Sequence, residues 1–217
     1  MPYALNFYKD QVGAVGATDE ALAGAHRLIY VRHGSVVLNG QTMRRDDGGY
    51  FADSITLRSN GEWCELWRWD LVLPSIAPQF HRGSGTLSSL RMSQVVSAIE
   101  MDEGSQWLLR LDRIESAPGR VSNPHKPWPG IRCLIEGTFN IHQGIETVRD
   151  IMPGDPWFER GSETVIAWAP GQMGALAIRA MIGPPAMQGK PTGKWLTLDT
   201  PEARGNWKLY ADRVVTV

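Results

Sequence analysis

The sequence has no block of like charges. Its 22 Lys and Arg are balanced by 23 Asp and Glu, for a net charge of −1. Nucleic-acid binding needs a basic stripe to neutralise phosphates, so no nucleic-acid partner is expected. No apolar run is long enough to span a bilayer. Residues 1–25 (MPYALNFYKDQVGAVGATDEALAGA) also lack a basic start followed by an apolar stretch. The expectation is a cytoplasmic protein with no membrane partner. Cysteine is scarce: Cys64 and Cys133 both lie in strand-like apolar segments. A reducing compartment leaves them as buried structural thiols rather than a redox or metal pair. There is no GxSxG elbow, P-loop or CxxC pair. The Gly-rich stretch 82–85 has no helix after it and is no phosphate cradle. Helical periodicity is nearly missing; residues 18–25, with Thr18 as cap, are the one candidate.

What is present is a series of short apolar or alternating runs between Gly, Pro, Asn and Asp clusters, the pattern of an all-β chain. Strands are expected at 28–31, 35–38, 54–57, 63–73, 130–135, 138–142, 165–168, 175–182 and 206–215. Residues 92–101 and 107–114 are expected to pair around Asp102-Glu103-Gly104, and 81–89 (HRGSGTLSS) reads as a linker or exposed loop. Asn39-Gly40 is a strong hairpin signal. In 63–73, Trp63, Glu65, Trp67, Trp69 and Leu71 share one face, and Cys64, Leu66, Arg68 and Asp70 the other. Nine tryptophans can fill barrel interiors or line a ligand pocket. The sequence also repeats: "LIYVRHGSVVLNG … DDGGYF … SITL … NGEWCELWRWD" is echoed by "RCLIEGTFNI … MPGDPWF … TVIAW … GQMGALAIRAM". Gly34 matches Gly137, Tyr50-Phe51 match Trp157-Phe158, Gly61 matches Gly171 and Arg68 matches Arg179. A β unit occurring twice implies two copies of one small antiparallel barrel.

The segments "PWPGIRCLIEGTFNI" and "MPGDPWFERGSETVIA" resemble the two motifs of the cupin superfamily, with the "LxEG" turn at Gly137 and the "PGD" turn at Pro153-Gly154-Asp155. With the repeat, the whole chain looks like a two-barrel cupin: an N-terminal barrel over 1–88, a C-terminal barrel over 89–190, and a tail over 191–217. The resemblance implies that the tail returns to the N-terminal barrel. It also implies a divalent metal held by three His and one Glu. Position by position, the second histidine falls on His125, the first on Asn123, the glutamate near Gly130, and the last histidine on Glu163, Thr164 or Val165. Most of the metal set is therefore missing. His125 is either a ligand or a loop histidine, and Glu159, Glu163 and His142 are the residues that could rebuild a set around it. His125 and Glu159 are also the candidates for proton transfer.

The expectation that follows is a two-barrel cupin binding a small organic molecule in the C-terminal barrel without tightly held metal, with Trp128, Trp157, Arg132 and His142 as candidate contacts. Arg68 and Arg179, if they face inward, could take a carboxylate. The alternative is a metal-dependent dioxygenase or isomerase on a small organic acid. A third reading is a homodimer through the Trp63–Trp67–Trp69 face.

Overall fold

The turn chemistry sets where the strands end. Asn39 and Gly40 both take positive φ (46° and 83°), as a two-residue type I′ hairpin requires, and Leu38 pairs with Gln41 across it. Pro153-Gly154 forms a turn with Gly154 at φ 91°, closed by the Asp155 N–H donating to the Met152 carbonyl at 2.9 Å. The first repeat has the same turn without the proline: Asp46 takes φ 67° and the Asp47 N–H donates to the Arg44 carbonyl at 2.9 Å.

These elements are drawn from a computed structural model that describes residues 3–170, 172–190 and 207–217. It is all-β and divides into two units, 1–95 and 96–217. The first unit contains β1 (Tyr3–Val12), β2 (His26–His33), β3 (Ser35–Leu38), β4 (Gln41–Arg44), β5 (Gly48–Phe51), β6 (Leu57–Ser59), β7 (Cys64–Val72) and β8 (Thr86–Val96). Its strands form a five-stranded sheet, β5-β2-β7-β1-β8, and a three-stranded sheet, β4-β3-β6. The apolar core between them includes Val12, Ile29, Val31, Val36, Leu38, Ile55, Cys64 and Leu66.

The second unit contains β9 (Gln106–Ser116), β10 (Gly130–Glu136), β11 (Phe139–Gln143), β12 (Glu146–Ile151), β13 (Pro156–Glu159), β14 (Val165–Trp168), β15 (Ala175–Gly183) and β16 (Trp207–Thr216). Its sheets run β13-β10-β15-β9-β16 and β12-β11-β14, the same order strand for strand. Leu134, Phe139, Ile141, Trp157, Val165, Ala175 and Ala177 belong to its core. The repeat is thus a repeat of topology, with Gly34 and Gly137 at the same bend. Both have positive φ, and an added Cβ would lie 2.0 Å from the Trp63 carbonyl oxygen and 1.9 Å from that of Gly174. The proposed match of Gly61 to Gly171 lies outside the described residues.

Several expectations change. β1 is a full strand that the sequence reading left out. Residues 18–25 form no helix; Leu22 bridges to Ile55 instead. β8 starts at Thr86 inside the supposed linker and joins β1 rather than β9. The described part of the expected tail is a strand of the second unit. Residues 207–216 are β16, which pairs along β9 from Trp207↔Ile114 to Thr216↔Gln106. The expected face of Trp63, Trp67 and Trp69 is no free dimer surface: Trp67 and Trp69 are buried within the single chain, and Trp63 alone is exposed. Among the described residues no helix is long and apolar enough to cross a membrane.

Candidate functional site

In each unit, one end of the inner wall is apolar and the other is charged. Strand alternation explains why. In β7, Cys64 and Leu66 sit in the first core, so Arg68 and Asp70 face the same way. In β15, Ala175 and Ala177 sit in the second core, so Arg179 faces inward too. The two registers agree: Arg68 stands opposite Ile29 on one side and Tyr8 on the other, and Arg179 opposite Arg132 and Asp112.

In the first barrel the charged end is complete in itself. Arg68 donates through Nε to Asp10 at 2.7 Å, through Nη1 to Asp70 and through Nη2 to the Gln79 carbonyl at 2.9 Å. Its guanidinium stacks on the Tyr8 ring at 3.8 Å. Arg27 donates to the other Asp70 oxygen at 2.8 Å, and Ser88 donates its hydroxyl to Asp10. Burial alone would push the Asp10 carboxyl up, but Arg68, His81 and Ser88 hold it below the usual range. Arg68 is 0 % exposed. His81 is the exception. Its ring is buried, its Nε2 lies 3.6 Å from Asp10, and neither nitrogen makes a hydrogen bond. Burial pushes its pKa down to about 4, with Asp10 opposing and Arg68 and Arg27 assisting.

Among the described residues, the second barrel carries three arginines and three carboxylates at the matching end. Arg179 makes a two-bond fork with Asp112, at 2.8 and 2.7 Å, and Trp207 Nε1 donates to the same carboxylate at 2.8 Å. Arg110 donates to Asp212 at 2.8 Å and to the carbonyls of Lys190 and Met187 at 2.7 and 2.9 Å. Arg132 reaches Glu159 at 2.8 Å and the carbonyls of Gly130 and Trp128 at 2.6 and 2.9 Å. Burial lowers the Arg132 pKa to about 10, against the pull of Glu159. Its Nε has no acceptor.

The residues singled out from sequence separate into two groups. Glu159, Arg132 and Trp157 come together inside the barrel, where Trp157 Nε1 donates to Glu159 at 3.0 Å. Trp157 also packs on Phe139 with ring centroids 5.6 Å apart, so it is core rather than a stacking wall for a ligand. Trp128 is held on one side by Gly183, where an added Cβ would lie 2.4 Å from its ring, and lies 5.2 Å from the Arg110 guanidinium. The others point elsewhere. His142 alternates with the core residue Ile141, is only half-buried and bonds Thr147 at 2.9 Å. Glu163 pairs with Arg160 at 2.8 Å, its side chain 37 % exposed. His125 is exposed, its Nδ1 2.8 Å from the Asn123 carbonyl. Sequence reasoning missed Arg110, Asp112 and Asp212, which only the pairing of β9 with β15 and β16 brings into the barrel.

The metal site that the resemblance implies does not fit these residues. Gly130 stands where the glutamate is expected, and even a Cβ there would lie 2.1 Å from the Ala180 carbonyl oxygen. His125 bridges to Val165 through the backbone, which puts an apolar, buried side chain at one of the places assigned to the last histidine. Among the described residues, no group of three or more His, Cys, Asp or Glu is placed to hold a metal ion. The ligand set proposed around His125, Glu159, Glu163 and His142 is therefore not assembled.

No protein-family model and no curated protein matches this sequence. Solved structures do resemble it. AerE from Microcystis aeruginosa superposes with a TM-score of 0.59 at 11% identity, covering 82% of this chain and 87% of that one. A salicylate 1,2-dioxygenase from Pseudaminobacter salicylatoxidans gives 0.53 at 11% identity over 94% and 75%. A conserved protein of unknown function from Pseudomonas aeruginosa PAO1 gives 0.52 at 10% identity over 82% of each chain. At such identities the likeness is one of fold, and the fold is the cupin-type β-barrel.

Proposed function

We propose that this protein binds a small organic molecule in its second barrel, and does so without a tightly held metal. One observation carries the reading. Arg68 and Arg179 occupy the same register position in two barrels of the same topology, yet Arg68 is 0 % exposed and Arg179 is 20 % exposed. The first interior is closed by its own loop, through the Gln79 carbonyl on Arg68 and the Gln79 N–H on Tyr8. In the second, Arg179 keeps 20 % of its side chain exposed while Arg110, Arg132 and Asp112 are buried behind it. Fixed polar groups above an apolar floor, with an accessible side chain at the edge, are the elements of small-molecule sites. The metal-dependent alternative has no assembled ligand set to support it.

The test is a thermal-shift screen on EDTA-treated protein with short carboxylates, amides, ketones and alcohols. A ligand at a hundredfold excess over its Kd stabilises the folded state by about 2.7 kcal/mol. That corresponds to a rise in Tm of several degrees. At least one class is expected to give a saturable rise that EDTA does not change. A rise seen only after adding a divalent metal, or none in any class, contradicts the reading.

A further inference from the structure

The loop that seals the first barrel, residues 73–85 between β7 and β8, is lightly held. Residues 74–78 are exposed, so the loop meets the barrel at Gln79, Phe80 and His81. The Gln79 carbonyl accepts from Arg68 at 2.9 Å, and its N–H donates to the Tyr8 hydroxyl at 3.3 Å. Phe80 stands edge-on to the Tyr8 ring, with centroids 5.8 Å apart, yet stays 41 % exposed. Among the described residues, Gln79 Oε1 and both ring nitrogens of His81 are buried without a hydrogen bond. Each such atom costs stability that opening returns, since water then solvates it. Past His81 the chain is pinned: the Asp19 N–H donates to the Arg82 carbonyl at 2.8 Å and the Ala17 N–H to the Ser84 carbonyl at 3.0 Å. A segment with little buried apolar surface and unpaired polar atoms, fixed at its end, is one that opens by itself.

The groups around His81 decide what opens it. Asp10 faces it from β1, Arg27 from β2 and Arg68 from β7. Asp70, also on β7, bonds both arginines. Tyr8 on β1 stacks on Arg68, and β8 supplies the uncharged Ser88, which bonds Asp10. Asp10 is thus already occupied by Arg68 and Ser88, and its oxygen lies 3.6 Å from His81 Nε2. A proton on the closed ring would sit beside two guanidinium groups without a hydrogen bond. On the open ring water receives it.

We propose that residues 73–82 are an acid-released strap: protonation of His81 frees Gln79, Phe80 and His81 from the first barrel and uncovers Arg68 while the sheets stay folded. The closed ring titrates at about 4, and a solvated one at about 6.5. The open form therefore takes the proton first. Closure is strongest above pH 6.5 and weakens as pH falls toward 4. Between pH 7 and pH 5 the ratio of open to closed strap rises about twentyfold.

The experiment is amide hydrogen exchange by NMR on the full chain at pH 7 and pH 5, corrected for the intrinsic pH dependence of exchange. The Gln79 N–H reports the strap, and core amides of β1 and β7 report unfolding of the sheets. Gln79 is expected to be less protected than those amides at both pH values. Its protection is expected to fall about twentyfold from pH 7 to pH 5, and the fall to disappear in His81→Asn. Protection of Gln79 equal to that of the core overturns the proposal, because the loop then leaves only when the fold does. So does the absence of a fall in the wild type, or the same fall in the variant. Should His81→Asn not fold, the His81 ring is titrated by NMR in the wild type: a value near 4 beside the Gln79 fall supports the strap, and a value near 6.5 overturns it.

Discussion

A buried guanidinium is tolerable when its charge and its N–H groups both find partners. Arg68 meets that condition with Asp10, Asp70 and Gln79, and the result is a sealed wall. Arg132 meets it all but once. His81 fails it on both ring nitrogens, and this has a consequence for acid stability. Its pKa is about 4 when folded and about 6.5 when unfolded. The unfolded chain therefore takes up the proton first, and stability is lost as pH falls from 6.5 toward 4. Between pH 7 and pH 5 the loss from this residue is about 2 kcal/mol. Urea denaturation at the two pH values is expected to show it in the wild type, and to show it reduced by that amount in His81→Asn. An unchanged difference in the variant would assign the acid sensitivity elsewhere. None of this was legible from sequence, because His81 reads as part of an exposed Gly/Ser loop. What buries it is Asp10, 71 positions away by number in a strand that was itself not expected.

At the scale of strands and turns, more could be read. The Asn39-Gly40 hairpin, the Pro153-Gly154-Asp155 turn and the paired glycines Gly34 and Gly137 follow from φ requirements that act within a few residues. Such signals are local and survive in the sequence. β1 did not, because its inward positions Asn6 and Asp10 are polar and look like solvent-facing residues. They are buried because Arg68 and Ser93 supply partners from other strands. Likewise β16 was legible as a strand, while its docking on β9 was not, since partner choice depends on register. The glycines give a graded prediction. Gly40→Ala meets no atom within 4 Å and costs only the left-handed backbone, about 1–2 kcal/mol. Gly137→Ala adds a collision with the Gly174 carbonyl, so its cost exceeds that of Gly40→Ala severalfold or the protein does not accumulate in folded form. Equal midpoints in urea for the two variants would show that Gly137 is not the constrained bend described here.

For the whole molecule, the central finding is an asymmetry between two copies of one topology. The strand orders and the placement of Arg68 and Arg179 are shared. The surroundings have diverged, one charged wall sealed by its own loop and the other with Arg179 partly exposed. The repeat in the sequence made the shared part readable, since turns and aromatic pairs recur at matching spacings. The asymmetry depends on which acidic residues reach each arginine, and those lie on strands far apart in the chain. The most direct measurement is a crystal structure of the protein soaked, in the presence of EDTA, with the compound that raises Tm most in the thermal-shift screen. The account predicts ligand density in the second barrel beside Arg179, and none beside Arg68. A second barrel filled by its own side chains, or ligand density in the first barrel instead, would contradict it.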